Sequence, residues 1–117
     1  MPKTVDPSQF LPLTPAISHI LLALADADRH GYGIMQEVER MTDGAVVMGP
    51  GTLYGTLKRM LASGLVDEAG ARPDPGLDDE RRRYYRATGL GRAVLEAETA
   101  RMQALVGAAR AKRVRAR

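Results

Sequence analysis

The chain has 117 residues, enough for one domain with a modest core and a short extension. Its 44% apolar and 26% charged residues are typical of a globular protein and exclude a wholly disordered chain. It has no cysteine and only two histidines, which excludes disulfides, thiolate catalysis and a cysteine-rich or histidine-rich metal site. No apolar run reaches the roughly 18 residues of a membrane span, and the N-terminus lacks the apolar segment of a secretory signal. We therefore expect a cytoplasmic protein that holds no metal ion or other cofactor.

The net charge of +3 is divided unevenly along the chain. Residues 1–80 contain 6 Lys and Arg against 12 Asp and Glu, whereas residues 81–117 contain 11 against 2. Such an asymmetry indicates that particular segments, rather than the whole surface, meet a polyanion. Nucleic acid is the leading candidate. An anionic membrane surface and a merely solvated basic tail are the alternatives.

The first part of the chain predicts an arm, two helices and a stub of strand. Three prolines and few apolar residues in 1–12 indicate a flexible arm. Thr14-Pro15 is typical of a helix start, and apolar residues at helical spacing predict a helix over 15–25. The same spacing predicts a second helix over 31–41. The apolar run at 45–48 is long enough only for a short strand.

The middle of the chain predicts a third helix and a two-stranded ribbon. Gly49-Pro50 favours a helix start, since proline fits the first helical position, and Gly64 favours its end. Strand-forming residues at 65–69 and 82–87 flank a segment rich in proline, glycine and acid, which indicates a hairpin with an exposed tip. Alternation along the second strand places one of its two tyrosines in the core and the other outward, without deciding which.

The last part of the chain predicts a long helix over 89–112, capped by Thr88. The order helix, helix, helix, strand, strand, helix indicates a mainly helical α+β fold, the winged helix-turn-helix. The expected parts are a flexible N-terminal arm (1–12), a winged helix-turn-helix DNA-binding domain (13–88), a C-terminal dimerisation helix (89–112) and a basic tail (113–117).

The third helix carries most of the candidate functional residues. In a winged helix-turn-helix domain this helix enters the major groove, with free N–H groups at its start that suit a phosphate. The candidates outside its apolar stripe are Gly51, Thr52, Tyr54, Gly55, Thr56, Lys58 and Arg59. We expect Tyr54 and Lys58 to contact phosphates and Thr56 to read a base. A helix that is merely amphipathic, with a polar outer face, is the alternative.

Two other segments supply candidate DNA contacts. Arg81, Arg82 and Arg83 lie at the outgoing strand of the ribbon, where guanidinium groups can follow a phosphate backbone or enter a minor groove. A solvated face balanced by neighbouring acids is the alternative for them. His30 and Tyr32 begin the second helix, where each can pack, cap or contact a phosphate. No nucleophile–base pair or paired carboxylates are visible, so we expect no enzymatic activity.

The apolar residues of the last helix extend beyond what a small three-helix core can cover. The simplest partner is the same helix of a second copy, in a two-fold homodimer. We call the predicted interface residues the seam; they are Leu95, Thr99, Met102, Leu105, Val106 and Ala109.

Six motifs, in this order and at this spacing, resemble the PadR family of bacterial transcriptional regulators over residues 13–106. They are Leu21-Leu22-Ala23-Leu24, His30-Gly31-Tyr32-Gly33-Ile34, Gly51-Thr52-Leu53-Tyr54, Leu57-Lys58-Arg59-Met60, Gly64-Leu65-Val66 and Arg83-Tyr84-Tyr85-Arg86-Ala87-Thr88. The resemblance implies a winged-helix repressor that is dimeric through its C-terminal helix, binds a two-fold promoter site and is released by a small molecule or stress signal. A chain with one long helix after the ribbon is similar to the short subfamily.

The chain also departs from the family pattern. Some short members bind flat aromatic drugs between tryptophans at the dimer interface, whereas this chain has no tryptophan and offers Leu95, Thr99 and Met102 there. We therefore expect a sequence-specific, homodimeric regulator of promoter DNA, with a possible small-molecule effector at the dimer interface and no membrane partner. The alternative, which the acidic first 80 residues favour, is a protein-interaction module that keeps the winged fold without specific DNA binding.

Overall fold

The computed structural model describes residues 5–71 and 83–114. Three helices, an antiparallel ribbon and a long last helix follow one another as the sequence predicts, and they form a mainly helical α+β winged helix-turn-helix fold. The elements are a 3-10 helix (Pro7–Phe10), α1 (Pro15–Ala23), β1 (Arg29–His30), α2 (Gly31–Met41), α3 (Pro50–Ser63), β2 (Val66–Ala71), β3 (Arg83–Ala87) and α4 (Gly89–Ala111). We call α1, α2, α3 and the three strands the head, and β2 with β3 the wing.

The helix ends lie where the capping residues predict them. Thr14, His30 and Thr88 each accept a hydrogen bond from the backbone N–H three residues further on, at 3.3, 2.8 and 3.0 Å. These bonds satisfy N–H groups that have no partner inside a helix. Gly64 ends α3 with a φ of 80°, a left-handed conformation that a glycine adopts without strain.

The sheet has three antiparallel strands in the order β1-β3-β2. β1 is only two residues long and was not predicted; its Arg29 and His30 pair with Tyr85 and Tyr84 of β3. This pairing decides between the two tyrosines. Tyr85 points into the core and is 4% exposed, whereas Tyr84 is half-buried on the other side, against His30.

The core lies between the three helices of the head, the sheet and the first half of α4. Its members are apolar side chains that recur at helical spacing on each helix and at alternate positions on β3. They include Ile20, Leu21, Leu24, Ile34, Val38, Leu53, Leu57, Met60, Leu65, Val66, Tyr85 and Val94. Burying each large apolar side chain contributes about 1.5–3 kcal/mol. The second half of α4 contributes nothing to this core.

Two predicted features are wrong. The N-terminal segment, expected to be a flexible arm, forms the 3-10 helix Pro7–Phe10 and packs along α4, because Phe10, Leu11 and Leu13 cover the edge of the core. The segment 45–48 forms no strand in the described part of the chain. Its Met48 is buried and Val46 packs against the core, whereas Val47 is 71% exposed.

α4 is joined to the head where α3 passes into β2. The Thr88 backbone N–H donates to the Leu65 carbonyl at 3.1 Å, and the Thr88 hydroxyl donates to the neighbouring Gly64 carbonyl at 2.6 Å. One turn later, a Cβ on Gly91 would lie 2.1 Å from the Leu65 carbonyl oxygen. Since real Cβ atoms are not found so close to an oxygen, this crossing of α4 over the backbone requires glycine.

This crossing predicts the effect of adding one methyl group. Replacing Gly91→Ala forces α4 away from a backbone atom that cannot rotate aside, which lowers the free energy of unfolding by about 1–3 kcal/mol. Gly89→Ala is the matched control, because nothing lies within 4 Å of a Cβ there, and its effect stays within about 0.5 kcal/mol. Urea unfolding curves of the two variants test the difference. Equal midpoints would show that the crossing is not tight.

Candidate nucleic-acid interface

α3 separates into a buried stripe and an exposed face. Leu53, Leu57 and Met60 are fully buried, whereas Gly51, Thr52, Lys58 and Arg59 are exposed. The whole of α3 contains no acidic residue. The exposed face therefore combines two cations, a hydroxyl and the free N–H groups of a helix start, all of which suit a polyanion.

Thr56 does not belong to this exposed face, so the prediction that it reads a base is wrong. It is 1% exposed, because its position three residues after Leu53 and four before Met60 lies within the buried stripe. Its hydroxyl accepts a hydrogen bond of 3.3 Å from Nη2 of Arg59. The half-buried Gly55 lies beneath the same guanidinium, whose Nη1 would be 4.0 Å from a Cβ there. Both residues therefore help to orient Arg59.

Tyr54 joins α3 to the start of α2. It is half-buried against the core, and a Cβ on Gly31 would lie 2.4 Å from its hydroxyl oxygen. The phenol thus occupies the space that a side chain at position 31 would fill. This contact explains the glycine at the beginning of α2 and fixes the separation between the two helices.

His30 joins the start of α2 to the wing. Its Nδ1 accepts the hydrogen bond from Gly33 that caps α2, so this ring nitrogen cannot also bind a phosphate. The ring lies edge-on to Tyr84 of β3, with centroids 5.3 Å apart, and is stacked with Tyr32 at 6.4 Å. Tyr32 is 48% exposed beside it. His30 and Tyr32 at the start of α2 are therefore joined to Tyr84 of β3 through packed aromatic rings.

The described part of the wing contributes exposed arginines. Arg83 is exposed and its Nε lies 3.4 Å from a carboxylate oxygen of Glu68 on β2. Since both side chains are about half exposed, solvent screens this ion pair and leaves Arg83 able to contact a phosphate. Arg81 and Arg82, the other predicted wing contacts, lie outside the described residues. On the inner face, burial raises the pKa of Tyr85.

α4 presents the seam mainly on the half that follows Glu98, where the helix extends past the core. Thr99 and three large apolar residues are exposed, with Met102 at 45%, Leu105 at 64% and Val106 at 47%, while Leu95 and Ala109 are half-buried. Five seam residues are separated alternately by four and three positions, the spacing of a two-helix packing seam. A cavity of about 450 Å³ lies between Ala25 at the end of α1 and the α4 residues Leu95, Thr99 and Gln103.

Two charged residues that hold the head together were missed by the sequence analysis. Arg29 donates from Nε to the Ala23 carbonyl at 2.8 Å, and its Nη2 lies 3.2 Å from Asp26 and 3.9 Å from Glu37. It thereby closes the turn between α1 and α2. Glu98 is buried on α4. Glu98 lies at helical spacing from Gly91 and Val94, but a charged side chain there does not indicate burial. For Arg29, the acidic loop around it is the signal that a pairing was to be expected.

Among the described residues we find neither a candidate metal site nor a candidate membrane-spanning helix. No group of three metal-binding side chains occurs among residues 5–71 and 83–114. Within those same ranges, no helix combines the length and the apolar character that crossing a membrane requires.

Comparison with known proteins gives a consistent result. The model of the transcriptional regulator PadR-like family matches residues 20–97. The transcriptional regulator Rv3488 of Mycobacterium tuberculosis is 44% identical over 78 residues, which are 66% of this chain and 65% of that protein. This chain therefore spans slightly less than two thirds of that relative's length.

Solved structures share the fold. A transcriptional regulator from Clostridium thermocellum superimposes with a TM-score of 0.68 at 25% identity, over 86% of this chain and 90% of that one. A PadR family transcription regulator from Clostridium difficile also gives a TM-score of 0.68, at 23% identity, over 83% of this chain and 96% of that one. The chain thus combines a winged helix-turn-helix fold with a basic, acid-free third helix. It belongs to the PadR-like family of transcriptional regulators.

The packing of Tyr54 on Gly31 predicts an energetic coupling between α3 and α2. Gly31→Ala destabilises the head because the new methyl group displaces the phenol. In a Tyr54→Leu background the same substitution costs less, by about 1 kcal/mol, since the colliding atoms are gone. Urea unfolding of the two single variants and the double variant measures this coupling. Gly51→Ala, with no atom within 4 Å of its Cβ, is the control and shows no coupling to position 54.

Proposed function

We propose that the chain is a sequence-specific DNA-binding repressor that acts as a homodimer on a two-fold promoter site. The observation that carries this proposal is the exposed face of α3, which bears Lys58, Arg59 and Thr52 and no carboxylate. In a winged helix-turn-helix this is the face that enters the major groove. Tyr32, exposed at the start of α2, and Arg83, exposed on the wing, would supply contacts to the flanking phosphates.

The exposed seam supports the homodimer. Met102, Leu105 and Val106 are large apolar side chains that a monomer leaves in water, and a second copy of α4 would cover them. A two-fold pair presents two α3 helices to half-sites about one helical turn, roughly 34 Å, apart. Two heads also supply enough phosphate and base contacts for tight binding to one operator.

The cavity beside the seam supports release by a small molecule. Its volume of about 450 Å³ lies in the usual range of ligand pockets, and it is bounded by both the head and α4. A ligand wedged against Ala25 and Leu95 would change the angle between the two heads and disturb the register of both on DNA. Since the chain has no tryptophan, stacking of a flat drug between two indoles is not the mode of binding.

The deciding experiment is a fluorescence-polarisation titration with the DNA upstream of the protein's own gene and with a random duplex, each at two salt concentrations. Repressor function predicts preferential binding to the upstream DNA. Failure to bind, or equal affinity for both duplexes, would contradict it. That outcome would favour the alternative, an interaction module, which the acidic charge of residues 1–80 supports.

The electrostatic part of the proposal predicts a change in salt dependence. If Lys58 neutralises one phosphate in each half-site, Lys58→Ala lowers the slope of log K against log salt by about 0.9 per head, or about 1.8 per dimer. The loss in affinity is similar for all sequences. Arg40→Gln removes the same charge from the far end of α2 and is the control, with an unchanged slope. An unchanged slope for Lys58→Ala would show that this lysine contacts solvent and does not contact a phosphate.

If the dimer forms through the seam, a single charge placed there abolishes both dimerisation and operator binding. Met102→Asp buries an uncompensated carboxylate between the two copies of α4 and gives monomers in sedimentation velocity. Operator binding is lost in parallel, because one head alone makes too few contacts. Ala104→Asp adds the same charge at an exposed position on the opposite side of α4 and leaves both properties intact. A monomeric Met102→Asp protein that still binds the full operator tightly would disprove the dimer mechanism.

A further inference from the structure

Glu98 is a buried carboxylate with no part in the proposed DNA contacts or in the seam. It is 1% exposed and lies on the inner stripe of α4, which also contains Gly91 and Val94. Glutamate is rarely so buried, because removing its charge from water is costly unless the charge is paired and hydrogen-bonded. An apolar side chain in this place would fill the space without that cost. The carboxylate therefore calls for an explanation other than packing.

Each carboxylate oxygen has a defined partner. Oε2 accepts a hydrogen bond of 2.8 Å from the backbone N–H of Leu13, and Oε1 accepts one from Nε of Arg101. The Arg101 guanidinium lowers the pKa of Glu98 and keeps it ionised. Leu13 immediately precedes Thr14, the residue that caps α1. Through one side chain, α4 is thus tied to the start of the first helix of the head.

This tie is the second of two anchors that are spaced along α4; a further polar contact, from Nη1 of Arg92 to the Ala25 carbonyl at 3.0 Å, lies one residue from the first anchor. The first is at Gly91, against the Leu65 carbonyl. The second is seven residues later, about 10 Å along the helix. Two fixed points determine the direction of a rod, whereas one point allows it to pivot. Beyond Glu98, the remaining α4 residues are mostly exposed, so the direction of this projecting half depends on the two anchors.

Small angular errors have large consequences for such a rod. α4 has 23 residues and is about 34 Å long, so a tilt of about 5° about the first anchor moves its far end by about 3 Å. That displacement is close to the rise of one DNA base pair, about 3.4 Å. Hydrogen bonds to a carboxylate are directional and charge-assisted, so they restrict tilt more than apolar contact does.

We propose that Glu98 is a positioning residue that fixes the angle between the head and α4, and thereby sets the half-site spacing that the dimer accepts. This inference rests on the proposed function, since spacing has a meaning only for a dimer on DNA. Its structural part, the fixed angle, is independent of DNA. The two parts are therefore tested separately.

The DNA test compares Glu98→Leu with the unmodified protein on operators whose half-sites are moved by one base pair in either direction. Glu98→Leu keeps an apolar filling but loses both hydrogen bonds, so its preference for the native spacing falls at least about tenfold while it stays dimeric. Glu98→Gln retains an acceptor for Leu13 and restores part of the preference. Glu39→Leu, at an exposed glutamate of α2, is the control and keeps the full preference.

The second test needs no DNA. Because the chain has no cysteine, spin labels can be placed at Asp43→Cys on the head and Ala108→Cys on α4, in labelled chains diluted with unlabelled ones. Pulsed electron resonance should show a narrow distance distribution that broadens in Glu98→Leu. An unchanged width in a folded Glu98→Leu dimer overturns the inference, and Glu98→Gln provides the same comparison if the leucine variant does not fold. Failure of the unmodified protein to bind any operator, with the broadening still seen, contradicts the proposed function alone.

Discussion

The arrangement of this protein depends on how closely α4 can cross the head. The crossing is possible because Gly91 has no side chain where the Leu65 carbonyl passes, and because the Thr88 backbone N–H donates to that same carbonyl. One turn of α4 is thereby held against the junction of α3 and β2, where the chain passes from α3 into the wing. The direction of the rest of α4 depends on this crossing together with the contact between Glu98 and Leu13. The exposed seam is therefore presented by a helix whose base is rigid, and not by a tethered tail.

The same kind of contact recurs inside the head. Gly31 leaves the space that the Tyr54 phenol fills, so α2 and α3 approach each other at one defined separation. His30 then carries the arrangement to β3 through its contact with Tyr84. A series of close contacts between side chains thus links α3, through the start of α2, to the wing. The exposed groups on the two elements form one surface because the side chains beneath them leave little freedom to move separately.

The sequence analysis succeeded where the signal is local. Capping residues and apolar spacing placed α2, α3, the wing and α4, because each depends on neighbours in the chain. It failed where a distant partner decides. β1 exists only because β3 offers an edge to pair with, and Glu98 is buried only because Leu13 donates to it from the other end of the chain. Thr56 is a different case: its spacing from Leu53 and Met60 places it within the buried stripe, and a hydroxyl group alone does not indicate exposure.

Rigid anchoring and regulation by a ligand are compatible in this structure. The cavity beside the seam touches Ala25 of the head and Thr99 of α4, on the two sides of the joint whose angle the anchors fix. A ligand that fits only a slightly altered angle has different affinities for the two arrangements, and allosteric coupling requires nothing more. A coupling of about 1–3 kcal/mol changes operator affinity by about 5–150-fold. In the proposed dimer two heads must keep register on one duplex, so a modest change of angle at each copy of α4 acts twice. A stiff joint therefore makes the proposed repressor more sensitive to such a ligand, since a flexible one would already sample the altered angle without it.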